Sequence, residues 1–202
     1  LNAACDTSFN AISVDGDTST NDALIALASG ATGCGVESPE AWRVFSAAVT
    51  EVLTTLARAV AADGEGATRL LEVEVRGATD HATARAIART VCRSSLFKSS
   101  VFAGDPAWGR LAAAVGQACL ERSGHDALEA TQAPFDAAAL RIEAQGILVY
   151  EHGAPTTASR GELLRRLHAP EVRWRVHVGD GPGLATAFGC DLTYDYVRIN
   201  AD

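Results

Sequence analysis

Hydrophobic positions recur along this chain with two different periods, which predicts both helices and strands. After Ser38 and Pro39, apolar residues follow at helical spacing, namely Trp42, Phe45, Val49, Leu53, Leu56 and Val60. A serine cap followed by proline at the first helical position is typical of a helix start. The pattern therefore predicts a long amphipathic helix, packed on a sheet and ending at the DGEG run of residues 63–66.

Period-two alternation predicts strands on both sides of this helix. Phe9 to Val14 alternates like a half-buried strand, and in the run from Leu70 to Val75 the apolar residues alternate with Glu72 and Glu74. Short strands are also predicted at residues 97–102, 172–178, 184–188 and 194–199, and within 140–150. Further helices are predicted to start at Asp80 and at Asp105-Pro106, and to cover residues 161–167.

The mixed order of helices and strands favours an α+β or layered fold over a doubly wound parallel sheet. A division is predicted near residue 121, which would separate a first part, residues 1–120, from a smaller part, residues 121–202. Residues 123–136 are the candidate linker at this division.

A dense polar cluster, DGDTSTND, occupies residues 15–22 between two apolar stretches. Ala23 to Ala28 is apolar without interruption, so we expect the cluster to lie where two buried elements meet and to face a cleft. The alternative is an ordinary turn, in which Ser19 and Asp22 would form a helix capping box.

The composition narrows the class of protein. The chain has 202 residues, of which 48% are hydrophobic and 21% charged, and this suffices for a substantial core. The net charge of -8 argues against a nucleic-acid partner. The five cysteines are odd in number and contain no C-x-x-C pair, which predicts reduced thiols in a cytoplasm. No uninterrupted apolar run approaches the roughly 18 residues of a membrane span.

Several familiar catalytic motifs are absent from the sequence. It has no G-x-S-x-G elbow, H-E-x-x-H pair or Walker A loop, and its histidines show no ligand spacing, so no metal site is predicted. Lys98 is the only lysine, which removes most candidates for a Schiff base. The glycines of residues 179–183 predict a turn rather than a phosphate cradle. Arg173, Arg175 and His177 share one strand face, which would be either a dicarboxylate-binding face or a solvated strand surface.

Three runs resemble the ornithine acetyltransferase family, also called the glutamate N-acetyltransferase family, in the order expected of its β chain. An early segment of that β chain is similar to FNAISVDGDTSTNDALIALASG, residues 9–30. A run ending in Asp-Pro-Asn-Trp-Gly-Arg is similar to SLFKSSVFAGDPAWGR, residues 95–110, although Ala107 replaces the asparagine. The carboxyl-terminal signature is similar to GCDLTYDYVRIN, residues 189–200, so the resemblance covers the whole chain.

The resemblance implies an architecture and an activity. The expected fold is a layered αββα sandwich shared with an α chain, plus a smaller C-terminal α+β lobe. The expected reaction moves an acetyl group from N-acetylornithine to glutamate in arginine biosynthesis, through an acetylated amino-terminal threonine that a self-cleaving precursor exposes. The sequence starts with Leu1 and contains no methionine, so we expect that threonine upstream and no catalytic residue within this chain.

The resemblance also implies partners and location. The α chain from the same precursor would pair with this chain, in a heterotetramer of two α and two β chains. Ornithine, N-acetylornithine and glutamate would be the small-molecule ligands, in the cytoplasm and away from membranes. No cofactor is expected, with acetyl-CoA left open as a second acetyl donor.

Glu65 and Asn200 are the candidate substrate-binding residues. Glu65 lies between Gly64 and Gly66, where the backbone can approach a ligand closely and a carboxylate can bind an ammonium group. The amide of Asn200 offers both donors and an acceptor. By composition alone, a solvated loop glutamate and an exposed tail asparagine are the alternative interpretations. The resemblance places both residues at the family's substrate-binding positions.

Other interpretations remain open. Asp105, Trp108 and Arg110 could bind an anion at a helix start, or could serve as a cap, a packing residue and a partner for a carboxylate. A related amino-terminal-nucleophile amidase or aminopeptidase, which passes its acyl group to water, is one rival function. A binding paralogue without catalysis is the other, and Ala107 keeps it open.

Overall fold

The computed structural model describes residues 1–123 and 137–201, so all but the first residue of the predicted linker lies outside the described residues. Within them, seven strands form one mixed sheet in the order β1-β7-β2-β6-β3-β4-β5. The strands are β1 (Ile12–Ser13), β2 (Leu70–Ala78), β3 (Arg141–Ala144), β4 (Ile147–Glu151), β5 (Ala154–Pro155), β6 (Glu171–His177) and β7 (Gly183–Cys190). Two neighbouring pairs are parallel, β1 with β7 and β2 with β6.

Seven α-helices accompany the sheet in the described part of the chain. They are α1 (Asn2–Asp6), α2 (Pro39–Ala62), α3 (His81–Arg93), α4 (Ser95–Ala103), α5 (Trp108–Ser123), α6 (Arg160–Leu167) and α7 (Tyr194–Ala201). The Ser38 hydroxyl accepts a hydrogen bond from the Ala41 N–H, and the Asp80 carboxylate accepts one from the Thr83 N–H. These caps confirm the predicted starts of α2 and α3, and the mixed α/β class is confirmed as well.

One face of the sheet forms the core. The buried side chains on this face come from four adjacent strands and include Leu71, Val73, Val75, Ile142, Ala144, Val172, Trp174, Val176, Ala185 and Ala187. Helices α3 and α5 belong to the same core through Ile87, Val91 and Leu111. Trp174 packs edge-on against Phe97 of α4, with ring centroids 5.3 Å apart.

The opposite face is charged, and its charges are paired across the strands. The parallel register places Glu72 beside Arg173 and Glu74 beside Arg175. Arg175 donates to Glu74 at 2.5 Å and to Glu143 of β3 at 3.0 Å. Because Glu72 and Glu74 neutralise both arginines, the structure favours the solvated strand surface over a dicarboxylate-binding face.

Two predicted strands are helices in the structure. Residues 97–102 lie within α4, which the Ser94 hydroxyl caps and Gly104 ends in the left-handed conformation, with φ of 66°. Residues 194–199 lie within α7, where the hydroxyl of Thr193 accepts from the Tyr196 N–H at 3.1 Å. In both segments the alternation of apolar and polar residues is compatible with a strand or a helix. The helix caps and the tertiary packing favour the helix.

Near the amino terminus the structure also differs from the expectation. The predicted strand at Phe9 to Val14 is a 3-10 turn, Phe9–Ala11, followed by the two-residue β1. Residues 23–28 form neither helix nor strand, and Leu27 is 93% exposed, so the polar cluster does not lie between two buried elements. The Ser19 hydroxyl accepts from the Asp22 N–H at 3.1 Å, but no helix follows, so the capping box is wrong.

The apolar stripe of α2 is largely exposed rather than packed on the sheet. Leu53, Ala57 and Ala61 are buried on the inner side of this helix. The outer side exposes Trp42, Phe45, Val52, Leu56 and Val60. By length and composition alone α2 could cross a membrane, with a mean hydropathy of 1.4, because that average tolerates the charged and polar residues that interrupt its apolar run. A helix that docks on another protein surface meets the same criterion.

The sheet crosses the predicted domain division. Strands β1 and β2 come from residues 1–120, whereas β3 to β7 come from residues 121–202. β2 is hydrogen-bonded to both β6 and β7, so the two parts share one sheet. A division near residue 121 stays a prediction. Because the sheet is shared, such a division would separate only the helices around it.

Candidate functional site

Glu65 and Asn200 meet in the structure although 135 positions separate them in the chain. Glu65 lies in the loop between α2 and β2, and Asn200 lies in the last turn of α7. The Asn200 amide nitrogen, Nδ2, donates to Glu65 Oε2 at 2.7 Å and to the Tyr196 carbonyl at 3.0 Å. Both side chains are exposed to solvent. The two predicted residues therefore form one surface site.

Gly66 explains why the loop can approach α7 so closely. Its φ is 65°, and a Cβ atom at this position would lie 2.6 Å from the Tyr196 backbone nitrogen. The Thr193 hydroxyl donates to the Gly66 carbonyl at 2.7 Å and also caps α7. Any larger residue at position 66 would separate Glu65 from Asn200.

Asp191 holds the other end of the loop. Its carboxylate is buried and accepts hydrogen bonds from the backbone N–H groups of Thr68, at 2.8 Å, and Arg69, at 3.0 Å. The Thr68 hydroxyl donates to the same carboxylate at 2.5 Å. Asp191 follows β7 directly, so the end of that strand fixes the start of β2.

The polar cluster contributes Asp15 to the site. Tyr196 of α7 donates from its hydroxyl to Asp15 Oδ2 at 3.3 Å, and the Asp17 N–H donates to Asp15 Oδ1 at 2.9 Å. Burial, together with the negative charges of Asp15, Glu65 and Asp17, raises the pKa of Tyr196 above its ordinary value. The surroundings of the site are therefore negative, which favours a cationic ligand.

The site leaves two hydrogen-bond acceptors unused. Within the described residues, Glu65 Oε1 and Asn200 Oδ1 accept no hydrogen bond from the protein, whereas the amide donors of Asn200 are occupied. From the sequence, the amide of Asn200 is expected to offer both donors and an acceptor, and this arrangement leaves the acceptor free. A carboxylate and an amide oxygen side by side suit an ammonium group, which donates several hydrogen bonds and accepts none.

A buried lysine lies beneath the site. Lys98 of α4 is 1% exposed, and its Nζ donates to the carbonyl of Val14 and, at 2.6 Å, to the carbonyl of Cys190. Burial raises the pKa of the Cys190 thiol although Lys98 opposes the shift, and burial raises the pKa of Cys92 to about 12. Neither thiol is therefore a candidate nucleophile.

Sequence reasoning missed Lys98, Asp191 and Thr193 as parts of the site. All three lie inside the runs that resemble the acetyltransferase family, so those runs already contained the signal. What the sequence does not show is that their polar atoms turn inward and hold the loop of Glu65.

The run of residues 105–110 has structural contacts. Trp108 stacks on Tyr150 of β4 with ring centroids 4.6 Å apart, and Arg110 donates to the Leu96 carbonyl at 3.1 Å rather than to a carboxylate in the contacts described. The helix itself begins at Trp108, not at Asp105. These contacts favour the structural interpretation of this run.

A groove elsewhere on the molecule does not include the site. It has a volume of about 470 Å³ and lies beside α2, with Arg58, His81 and Arg85 in its lining. Neither Glu65 nor Asn200 lines it. Among the residues that the structure describes, no group of three or more histidine, cysteine, aspartate or glutamate side chains could hold a metal ion.

The chain is similar to known proteins over its whole length. The model of the ArgJ family matches residues 1–202. The "Arginine biosynthesis bifunctional protein ArgJ" of Thermosynechococcus vestitus is 43% identical over all of this chain and 49% of that protein. The protein of the same name from Gloeobacter violaceus is 46% identical over 98% of this chain and 47% of that protein. A relative from Physcomitrium patens, 45% identical, is named chloroplastic.

A solved structure has the same fold. The crystal structure of arginine biosynthesis bifunctional protein argJ from Bacillus halodurans matches with a TM-score of 0.89 and 37% sequence identity. The match covers all of this chain and 90% of that one. The chain thus spans about half the length of the curated relatives but nearly all of the matched crystal chain.

Proposed function

The chain belongs to the ArgJ family, and we propose that it forms half of an enzyme that transfers the acetyl group of N-acetylornithine to glutamate in arginine biosynthesis. In this route an amino-terminal threonine outside the chain attacks the acetyl carbonyl and releases ornithine, with its own amine as base. The amine of glutamate then attacks the acetyl-threonine ester and frees the hydroxyl. Because its relatives are named bifunctional, we include acetyl-CoA as a second acetyl donor.

The paired acceptors of Glu65 and Asn200 carry this proposal. N-acetylornithine has lost its α-ammonium group to acetylation and retains a single cation on its side chain. That ammonium would donate to Glu65 Oε1 and Asn200 Oδ1, while Asn200 Nδ2 keeps the Glu65 carboxylate in place. Asp15 adds negative charge nearby without needing to touch the substrate.

The exposed apolar residues of α2 support an α chain as partner. We define the docking surface as Trp42, Phe45, Val52, Leu56 and Val60, together with Ile25 and Leu27 of the preceding segment. Contiguous exposed apolar surface marks interaction sites. The relatives are about twice as long as this chain, so the proposed occupant is the other half of the same protein.

The segment at residues 23–28 would complete the layers. It is an uninterrupted apolar run, typical of a buried strand, yet it lies exposed outside the sheet. Pairing of this run with strands of the α chain would produce the αββα sandwich, with two α and two β chains in a cytoplasmic enzyme. We also propose that residues 121–202 contribute the smaller C-terminal α+β lobe of this enzyme.

Self-cleavage is supported by a difference in chain length. This chain covers 90% of the matched crystal chain but only 47% and 49% of two curated relatives, so that crystal chain is about half as long as they are. A precursor that is cut near its middle explains the difference.

The test is Glu65→Gln in the full-length protein, with Glu51→Gln on the exposed part of α2 as the matched control. Loss of the charge-assisted hydrogen bond should raise the KM for N-acetylornithine by about tenfold or more. The KM for glutamate should change less, since glutamate has no side-chain ammonium. Steady-state kinetics of both substrates measure this, after mass spectrometry has established whether two polypeptides and an amino-terminal threonine are present.

Three outcomes would contradict the proposal. An unchanged KM for N-acetylornithine in Glu65→Gln rejects the role of the site. Equal acetate release with and without glutamate indicates an amidase. A single uncut polypeptide with full activity rejects the threonine route.

A further inference from the structure

Lys98 is a buried cation whose hydrogen-bond partners are all uncharged. Its three N–H groups face the carbonyl of Val14, the carbonyl of Cys190 at 2.6 Å and the Cys190 sulfur at 3.5 Å. Among the ion pairs of the described residues, none involves Lys98. Burying an ammonium group without a carboxylate costs far more than burying an apolar side chain of the same length. Packing alone therefore does not explain the charge.

The two carbonyls lie where the backbone pairing of two strands ends. β1 and β7 are parallel neighbours, and their register pairs Ser13 with Gly189. The next residues are Val14 after β1 and Cys190 at the end of β7. The segment after β1 continues to Asp15, and the segment after β7 continues to Asp191. Lys98 thus joins the strands at the point where they diverge toward the two sides of the site.

The loop of Glu65 rests on the same two residues. A Cβ atom at Gly64 would lie 2.9 Å from Cys190 Sγ and 3.0 Å from Val14 Cγ1, so the backbone of the loop packs directly on both. Asp191, which follows Cys190, holds the far end of the loop through Thr68. Displacement of Val14 or Cys190 would therefore move Glu65.

We propose that Lys98 is a positioning residue, which holds the ends of β1 and β7 together so that Glu65 and Asn200 present their free acceptors to the substrate ammonium. It does not touch the substrate, because its ammonium group is buried beneath the loop. This inference rests on the proposed function of the Glu65–Asn200 pair, and it adds the interaction that keeps the two side chains in position.

The experiment uses the full-length enzyme with Lys98→Met, which keeps the apolar stem and removes the charge. The KM for N-acetylornithine should rise by about tenfold while kcat stays within about threefold, because only positioning of the ammonium is lost. Ser99→Ala, the next residue of α4, should leave both constants unchanged. A residue that only stabilises the fold would lower the melting temperature and leave the KM of the folded enzyme unchanged.

Combination with Glu65→Gln tests whether Lys98 acts through the site. The double variant should have the KM of Glu65→Gln alone, within about twofold, since the carboxylate that Lys98 positions no longer has its charge. Independent effects that multiply would overturn the inference. Should Glu65→Gln raise the KM while Lys98→Met does not, only the role of Lys98 fails. Should Glu65→Gln itself have no effect, the proposed function fails.

Gly64→Ala provides a second route if Lys98→Met does not fold. The added methyl group meets Cys190 Sγ and Val14 and lifts the loop without changing Lys98. A rise in the KM for N-acetylornithine with little change in kcat supports the inference. A wild-type KM in the folded Gly64→Ala enzyme overturns it, because the loop would then not depend on this support.

Discussion

Asp191 is 3% exposed, and its carboxylate accepts hydrogen bonds from two consecutive backbone N–H groups, those of Thr68 and Arg69. Removal of the carboxylate takes away the partner that these two partly buried N–H groups have in the described part of the chain. At this scale the position of Glu65 depends on polar atoms that face inward at the other end of its loop.

Asp191→Ala should lower the free energy of unfolding by about 1–3 kcal/mol, because it removes the partner of these partly buried donors. Asp195→Ala, which breaks an exposed pair with Arg198, should cost less than about 1 kcal/mol. Urea denaturation followed by circular dichroism compares the two. Equal losses in both variants would mean that the buried hydrogen bonds of Asp191 contribute nothing special.

At the scale of elements, the charged face of β2 and β6 is a row of ion pairs rather than a binding surface. Burial alone would raise the pKa of Glu74, but hydrogen bonds from Arg76 and Arg175 outweigh it and hold that pKa below 4.5. A carboxyl group with a lower pKa in the folded state stabilises the fold above its unfolded pKa. That contribution is lost as the pH falls through the folded value.

Glu74→Gln should therefore make the unfolding free energy less dependent on pH in the acid range. Near neutral pH the variant should be less stable by no more than about 1 kcal/mol, since Glu74 is partly exposed and solvent screens the pair. Below pH 4.5 the difference from the wild type should shrink as Glu74 of the wild type takes up its proton. Urea titrations across this range give the unfolding free energy of the variant and of the wild type at each pH. If the two free energies changed in parallel with pH, the stabilising role of Glu74 would be contradicted.

At the scale of the whole molecule, the exposed side of α2 and the segment before it leave large apolar side chains in contact with water. Trp42 is 59% exposed and Val52 58%, although Leu53, the residue after Val52, is buried on the inner side of the helix. Arg58, on the inner side, pairs with Glu171 at 2.9 Å and fixes the helix to the sheet. An α chain that covers the docking surface would remove this exposed area from water.

Leu56→Asp should prevent the two halves from copurifying, since burying a leucine contributes about 1.5–3 kcal/mol and burying an aspartate is unfavourable. The neighbouring Thr55→Asp lies outside the docking surface and should leave the association intact. Affinity purification through a tag on the other half, followed by mass measurement, gives the ratio of chains. Full copurification of Leu56→Asp would show that this surface is not the interface.

The sequence alone determined most elements whose signals are local. Helix α2 begins after the cap Ser38 and ends before Asp63 because caps, proline and glycine act within a few residues. The strands β2, β6 and β7 also lie where the alternating pattern predicts strands, at residues 70–75, 172–178 and 184–188. The strands predicted at residues 97–102 and 194–199 were wrong, although these segments are as long as the correctly predicted ones, because helix caps and tertiary contacts make both segments helical.

For the site, resemblance to a family identified Glu65 and Asn200, and composition did not. Only the tertiary structure brought them to 2.7 Å, because β7 returns beside β2 and leads into α7, and because Gly66 allows α7 to approach the loop. The burial of Lys98 and Asp191 was equally invisible in the sequence. A polar residue looks alike there whether it faces water or a carbonyl, and the difference arises only when distant segments pack together.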